Sequence, residues 1–216
     1  KVDKLYAKEP ETIQSRDRRS HGLIAKWKWR MIRMKKASIF LASGFEEVEA
    51  LTPIDLLRRA GVQVTIVSVT EERTVTGSHQ ITVAADALFE ETDFSDQDLF
   101  ILPGGQPGTS HLKACGKLRS LLTEANENGK LLAAICAAPT VFGDMGLLNE
   151  KKATCYPGCE EGLAGAECLT DRVVVDGNLI TSRGVGTAIP FALSLIEQLF
   201  GKEKSEEIRE SIIYGH

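Results

Sequence analysis

Cys136 is the residue of this chain best placed to do chemistry, because of what stands on either side of it. Leu131–Ile135, five apolar residues after Gly129-Lys130, read as a buried strand, since a helix needs more length. Pro139 suits the first turn of a helix, where its missing N–H is no loss. Cys136 then occupies the turn from strand to helix, with the first helical N–H groups aimed at its sulfur. Unpaired amides and the helix dipole both stabilise negative charge, so the placement favours thiolate. A free cysteine is also a small buried hydrophobe in most proteins. From this stretch alone, reactive thiol and core residue stand as alternatives.

Two more strand ends offer groups that such a thiol could use. One is Ser43-Gly44-Phe45-Glu46-Glu47-Val48-Glu49, which follows the first apolar run. The other is Pro103-Gly104-Gly105, whose glycines present N–H donors with no side chain in the way of a small ligand. In an open α/β sheet, ligands bind at the carboxyl ends of parallel strands. Three such ends meeting in one crevice say more than any of them alone.

The elements that would position these groups follow in regular order. Ala37–Ala42 is an apolar strand, Glu46–Ala60 has helical spacing of Val48, Leu51, Ile54 and Leu57, and Val62–Val69 is a β-branched strand. Strand, helix, strand over so short a span is a βαβ unit with a right-handed crossover. Thr74–Thr76 and Ile81–Ala84 read as a peripheral β-hairpin, and Asp98–Leu102 as the next main strand. Helices near Thr109–Ala114 and Lys117–Asn128 precede the cysteine strand, and one to about Gly146 follows it. Val173–Thr181, with Asp176-Gly177 inside, is a second hairpin. Helices over Ile189–Phe200 and Lys202–Ile212 end the chain. The alternation predicts a three-layer α/β sandwich with a mainly parallel sheet.

Composition narrows the function. The 216 residues suit one domain with an appendage, and no apolar run approaches the ~20 residues that cross a bilayer. Five unevenly spaced cysteines and no secretory segment predict reduced thiols and a cytoplasmic setting. Cys155-x-x-x-Cys159 with distant Cys168 lacks the spacing of a zinc site, so no metal is expected. Residues 1–36 hold 12 basic and 4 acidic residues, leaving 14 basic and 26 acidic for the rest. An acidic body repels phosphate backbones, so no nucleic-acid binding is expected of it. Residues 1–33, with Trp27 and Trp29 among basic residues, read as a poorly ordered leader without a role in function, and 34–216 as the domain.

Gly44-Phe45-Glu46-Glu47-Val48-Glu49-Ala50, Leu102-Pro103-Gly104-Gly105, Ala134-Ile135-Cys136-Ala137-Ala138-Pro139 and Thr181-Ser182-Arg183-Gly184-Val185-Gly186-Thr187-Ala188 together resemble the ThiJ/PfpI superfamily. The nearest branch is that of the parkinsonism-associated deglycase (DJ-one) and bacterial ThiJ-like proteins, over about Lys35–Tyr214. The resemblance implies a flavodoxin-like fold and a homodimer. It makes Cys136 a nucleophile on a strained elbow, with Glu49 as a protonated carboxyl hydrogen-bonded to the sulfur. It makes the N–H groups of Gly105 and Ala137 an oxyanion hole, with Gly44 and Gly104 of the converging strand ends and Tyr156 expected around the substrate. His79 matches an arginine that lines the site at the family's dimer interface. Asp55 and Arg59, one helical turn apart, match dimer-contact positions, although an exposed pair is the plainer reading.

Two departures from the family pattern matter. Tyr156 stands in Ala153-Thr154-Cys155-Tyr156-Pro157 where many members have histidine. Ala137 follows the cysteine where the protease-like branch has histidine, and neither His79 nor His111 begins the His-x-Glu pair of the amidotransferases. Proteolysis and amide transfer both lose their base. What remains is a cofactor-independent thiol enzyme for reactive carbonyls, of the glyoxalase or deglycase type, acting on small aldehydes or glycated groups. The alternative is a redox sensor or chaperone whose Cys136 is oxidised without turnover, with Cys155 as its neighbour after oxidation.

Overall fold

The computed structural model describes residues 33–215. The reading of the leader therefore lies outside the described residues, except at Arg33, as does His216. Arg33 belongs to the folded body, because its guanidinium donates to the Asp96 carbonyl at 2.7 Å and pairs with Asp98.

The main sheet has seven strands in the order β10-β11-β7-β6-β1-β2-β5. They are β1 (Lys36–Leu41), β2 (Gln63–Ser68), β5 (Ala87–Leu88), β6 (Leu99–Leu102), β7 (Leu131–Ile135), β10 (Val173–Asp176) and β11 (Leu179–Ser182). Every pairing is parallel except β10 with β11, the antiparallel edge. Adjacent residues of the inner strands enter different cores. Ile39, Leu41, Leu99, Ile101, Ala133 and Ile135 face one side, while Phe40, Phe100, Leu102, Leu132 and Ala134 face the other. Both faces are covered, so these strands read as continuous apolar runs.

Helices α1 (Glu47–Arg59), α5 (Ala188–Phe200) and α6 (Lys202–Ser211) supply residues to the first core. Helices α2 (Gly108–Ala114), α3 (Gly116–Glu127) and α4 (Pro139–Asp144) supply residues to the second. The result is the expected three-layer, flavodoxin-like sandwich, and the strand through Leu131–Ile135 has the bounds read from sequence. The peripheral hairpin is β3 (Thr74–Thr76) with β4 (Thr82–Ala84), antiparallel and outside the main sheet. The second hairpin turns at Gly177-Asn178, and its β11 lies inside the sheet beside β7. Two-residue strands β8 (Lys152–Ala153) and β9 (Glu167–Cys168) pair in parallel, a feature too short to carry a sequence period. Among the described residues no helix is long and apolar enough to cross a membrane.

Candidate active site

The sheet order sets β1, β6 and β7 side by side, so the three strand ends carrying Glu49, Gly104-Gly105 and Cys136 converge. Cys136 adopts φ +66°. A non-glycine residue in this left-handed region costs roughly 1–2 kcal/mol, and persists only where its surroundings hold it. Here they do so from both sides. The Cys136 N–H donates to the Ser182 carbonyl at 3.0 Å, and its carbonyl accepts from the Tyr156 N–H at 2.8 Å. The strained turn lifts the sulfur off the strand toward the N–H groups of Ala137 and Gly105, which lie close enough to favour negative charge on it.

Glu49 reaches the same point from the first turn of α1. That helix begins at Glu46, whose side chain caps it by accepting the Glu49 N–H at 2.7 Å. The Glu49 side chain is completely buried. Its Oε2 accepts the Gly104 N–H at 3.0 Å, while Oε1 is buried without a partner at hydrogen-bonding geometry. The Cys136 thiol and the Val185 N–H lie close enough to perturb the carboxyl.

The electrostatics correct the simple expectation of a thiolate made by the turn alone. Burial pushes Glu49 up to about 7, with the Glu46 charge adding to it against the hydrogen bonds of Cys136, Gly104 and Val185. Burial and then the Glu49 charge push the Cys136 thiol up to about 12, outweighing the amides of Ala137 and Gly105. The two groups titrate as a pair. They hold two protons in acid, one above about pH 7, and none only in strong alkali. The sulfur is the group that keeps the last proton, so a thiolate at neutral pH requires transfer of that proton to Glu49.

Glycine is required where these groups crowd together. A Cβ on Gly104 would lie 2.6 Å from the Cys136 Cβ and 2.6 Å from Glu49 Oε2. A Cβ on Gly105, at φ +91°, would lie 2.4 Å from the Glu46 nitrogen. Gly104→Ala is therefore expected to cost about 1–3 kcal/mol of stability through overpacking. It also drives the carboxyl and the sulfur apart. Urea unfolding and the rate of Cys136 alkylation by iodoacetamide check the two effects, and an unchanged alkylation rate would contradict the second.

The remaining residues singled out in the sequence are placed more loosely. Gly44 packs against Pro107 and its carbonyl accepts from Gly108, so it ties the first two strand ends together. Tyr156 lies beside Gly184 with its ring half exposed. His79 turns to Glu47, its Nδ1 2.9 Å from Oε2, and the imidazole is largely exposed. The Glu47 hydrogen bond raises the His79 pKa. Burial opposes a charged Glu47, yet hydrogen bonds from His79 and the backbone hold its carboxyl below the usual range.

Glu46, Glu47 and His79 are the one group of three among the described residues with ligand atoms close enough for a metal ion, within 4.8 Å. Most of those atoms are already engaged with each other and with backbone N–H groups. Asp55 and Arg59 form an exposed pair at 2.7 Å, one helical turn apart on α1. Sequence reasoning missed the part played by Ser182, Gly184 and Val185, which close the site from the end of β11. Their signal was the Thr181–Ala188 stretch, quoted there without a role.

Comparison with known proteins agrees with this geometry. The DJ-1/PfpI family matches over residues 35–198. Protein DJ-1 homolog B of Arabidopsis thaliana is 42% identical over 213 residues, covering 97% of this chain and 48% of that protein. This chain thus spans about half the length of that relative. A Caenorhabditis elegans protein named glutathione-independent glyoxalase DJR-1.2 is 34% identical over 181 residues, 82% of this chain and 96% of the relative. The structure of oxidized Toxoplasma gondii DJ-1 superposes with a TM-score of 0.81 at 36% identity, covering 84% of this chain and all of that one. The strained cysteine, the buried glutamate and the matched span belong together: this chain is a member of the DJ-1/PfpI family.

Proposed function

We propose that this protein is a cofactor-independent thiol enzyme that converts small reactive dicarbonyls, or early glycation adducts, into hydroxy acids. The observation that carries the reading is the fully buried Glu49 carboxyl set beside Cys136 on its left-handed turn, next to the N–H groups of Gly105 and Ala137. The name of the nematode relative supports the same chemistry. With the proton on Glu49, the Cys136 sulfur adds to the aldehyde carbon of methylglyoxal and a C–S bond forms. The carbonyl oxygen becomes an oxyanion facing the two amides, and takes the Glu49 proton to give a hemithioacetal. The Glu49 carboxylate then removes the proton from that carbon and returns it to the adjacent one. A thioester results, and water hydrolyses it to lactate and the free thiol. No histidine is needed, because Glu49 takes the thiol proton, gives it to the oxyanion and then removes the carbon-bound one.

The test is consumption of methylglyoxal without glutathione, followed against pH. The singly protonated pair is the active form, so kcat/KM is expected to rise tenfold per pH unit below about 7 and to level above it. A rate flat from pH 5 to 9, or no turnover at all, overturns the mechanism. One observation favours a second reading, that of an oxidation sensor. A carboxyl still partly protonated at neutral pH can donate to an oxygen of a Cys136 sulfinate. Peroxide-treated protein gaining two oxygens at Cys136, without dicarbonyl turnover at any pH, would select this reading.

A further inference from the structure

Cys155, a suggested neighbour of Cys136 after oxidation, has a different partner. Cys155 is 2% exposed and packs in the core with Leu148, Ala153 and Leu163, whereas Cys136 packs against the core on the other face of the sheet. The β8–β9 pairing sets Ala153 opposite Cys168, and the Leu169 N–H donates to the Ala153 carbonyl at 2.8 Å. Residues two apart on an extended chain project to the same side, so Cys155 follows Ala153 toward Cys168 as its diagonal neighbour. The two thiols lie close enough that Cys168, after burial, contributes to raising the Cys155 pKa. Cys159 lies near them, but the three sulfurs do not form a cluster tight enough to hold a metal ion.

We propose that Cys155 and Cys168 are a dithiol site that hydrogen peroxide oxidises to a reversible disulfide, separate from the nucleophile. Cys168 is exposed and meets the oxidant, whereas Cys155 is shielded and resolves the product. The Cys168 sulfur attacks one peroxide oxygen, the O–O bond breaks, and the other oxygen leaves with the thiol proton as water. The Cys155 sulfur then attacks the Cys168 sulfenic acid. The S–O bond breaks, hydroxide takes the Cys155 proton, and a second water leaves. Two thiols and one peroxide give one disulfide and two waters. The bond acts on a segment that supports the elbow. Thr154 N–H donates to Thr181 Oγ1 at 2.9 Å, and the Tyr156 N–H, one residue beyond Cys155, holds the Cys136 carbonyl. Drawing the sulfurs to the ~2.05 Å of a disulfide tightens this segment against β9.

The cysteines in question share one tryptic peptide, 153–172, bounded by Lys152 and Arg172. Peroxide treatment of the whole protein, alkylation under denaturing conditions and trypsin are expected to yield that peptide with one alkyl group, on Cys159, and two hydrogens lighter than its singly alkylated dithiol form. The untreated protein yields it with three alkyl groups. Cleavage at Glu160, Glu161 and Glu167 should leave its two ends joined, and dithiothreitol should part them. The bridge should form in Cys136→Ser and Cys159→Ser, and be lost in Cys168→Ser and Cys155→Ser. A Cys136–Cys155 or Cys155–Cys159 bridge would overturn the proposal. So would Cys168 carried to sulfinic acid with Cys155 still alkylated, or failure of the bridge to form in Cys136→Ser. None of these readouts depends on turnover, so they stand apart from the dicarbonyl reading.

Discussion

Turnover of methylglyoxal is expected to disappear in Cys136→Ser and to fall by about 10²–10⁴-fold in Glu49→Gln. The two losses have different causes, and a second measurement separates them. Serine keeps the size of the side chain but removes the ionisable sulfur, so no covalent adduct forms. Glutamine keeps the acceptor for the Gly104 N–H and can donate an N–H to the sulfur, but it cannot carry a proton from carbon to carbon. Alkylation of Cys136 by iodoacetamide should therefore persist in Glu49→Gln while turnover is lost. It should also lose its dependence on a group titrating near 7, since that group is Glu49. Equal losses of alkylation and turnover would mean that Glu49 only builds the site. Full turnover in Glu49→Gln would remove it from the chemistry altogether.

Most of the frame was legible because both faces of its sheet are buried. β7 and β6 are unbroken apolar runs ended by Cys136 and by Pro103-Gly104-Gly105, and such runs with sharp ends leave little choice of bounds. Cys136 itself could be read as a turn residue, because Pro139 marks where helix α4 begins. What sequence could not supply was the balance of charge at the turn. Helix-end amides argue for thiolate from local order alone, whereas burial of Glu49 beside the sulfur depends on α1 and β7 meeting across the sheet. The same holds for Cys155. Its nearness to Cys136 in the chain of hydrogen bonds runs through the Tyr156 backbone, but its side chain enters the opposite core. His79 turned toward Glu47 for a similar reason: the β3–β4 excursion brings it to the start of α1, which no local period encodes.

Glu49→Gln should also make the protein more stable at alkaline pH, by an amount that grows from nothing in acid. The folded-state pKa of Glu49 is raised to about 7 from 4.5, so the native state binds a proton that the unfolded chain has already released. Stability therefore falls as pH rises between those two values, by about 1.36 kcal/mol per unit for this one group. Above pH 7 the full cost, on the order of 3 kcal/mol, is the free energy of holding an ionised carboxylate in a dry site next to Glu46. Glutamine carries no such charge and keeps the hydrogen bond from Gly104. For a domain of this size, 3 kcal/mol corresponds to a rise in melting temperature of roughly 6–12 °C. Urea unfolding of both proteins at pH 4 and pH 8 measures the difference directly. The curves should nearly coincide at pH 4 and separate at pH 8, with the variant the more stable. An equal offset at both pH values would mean that packing, not charge, sets the effect. A buried carboxyl that costs the fold stability at neutral pH, as Glu49 does, fits a residue kept for the chemistry proposed for it rather than for its contribution to folding.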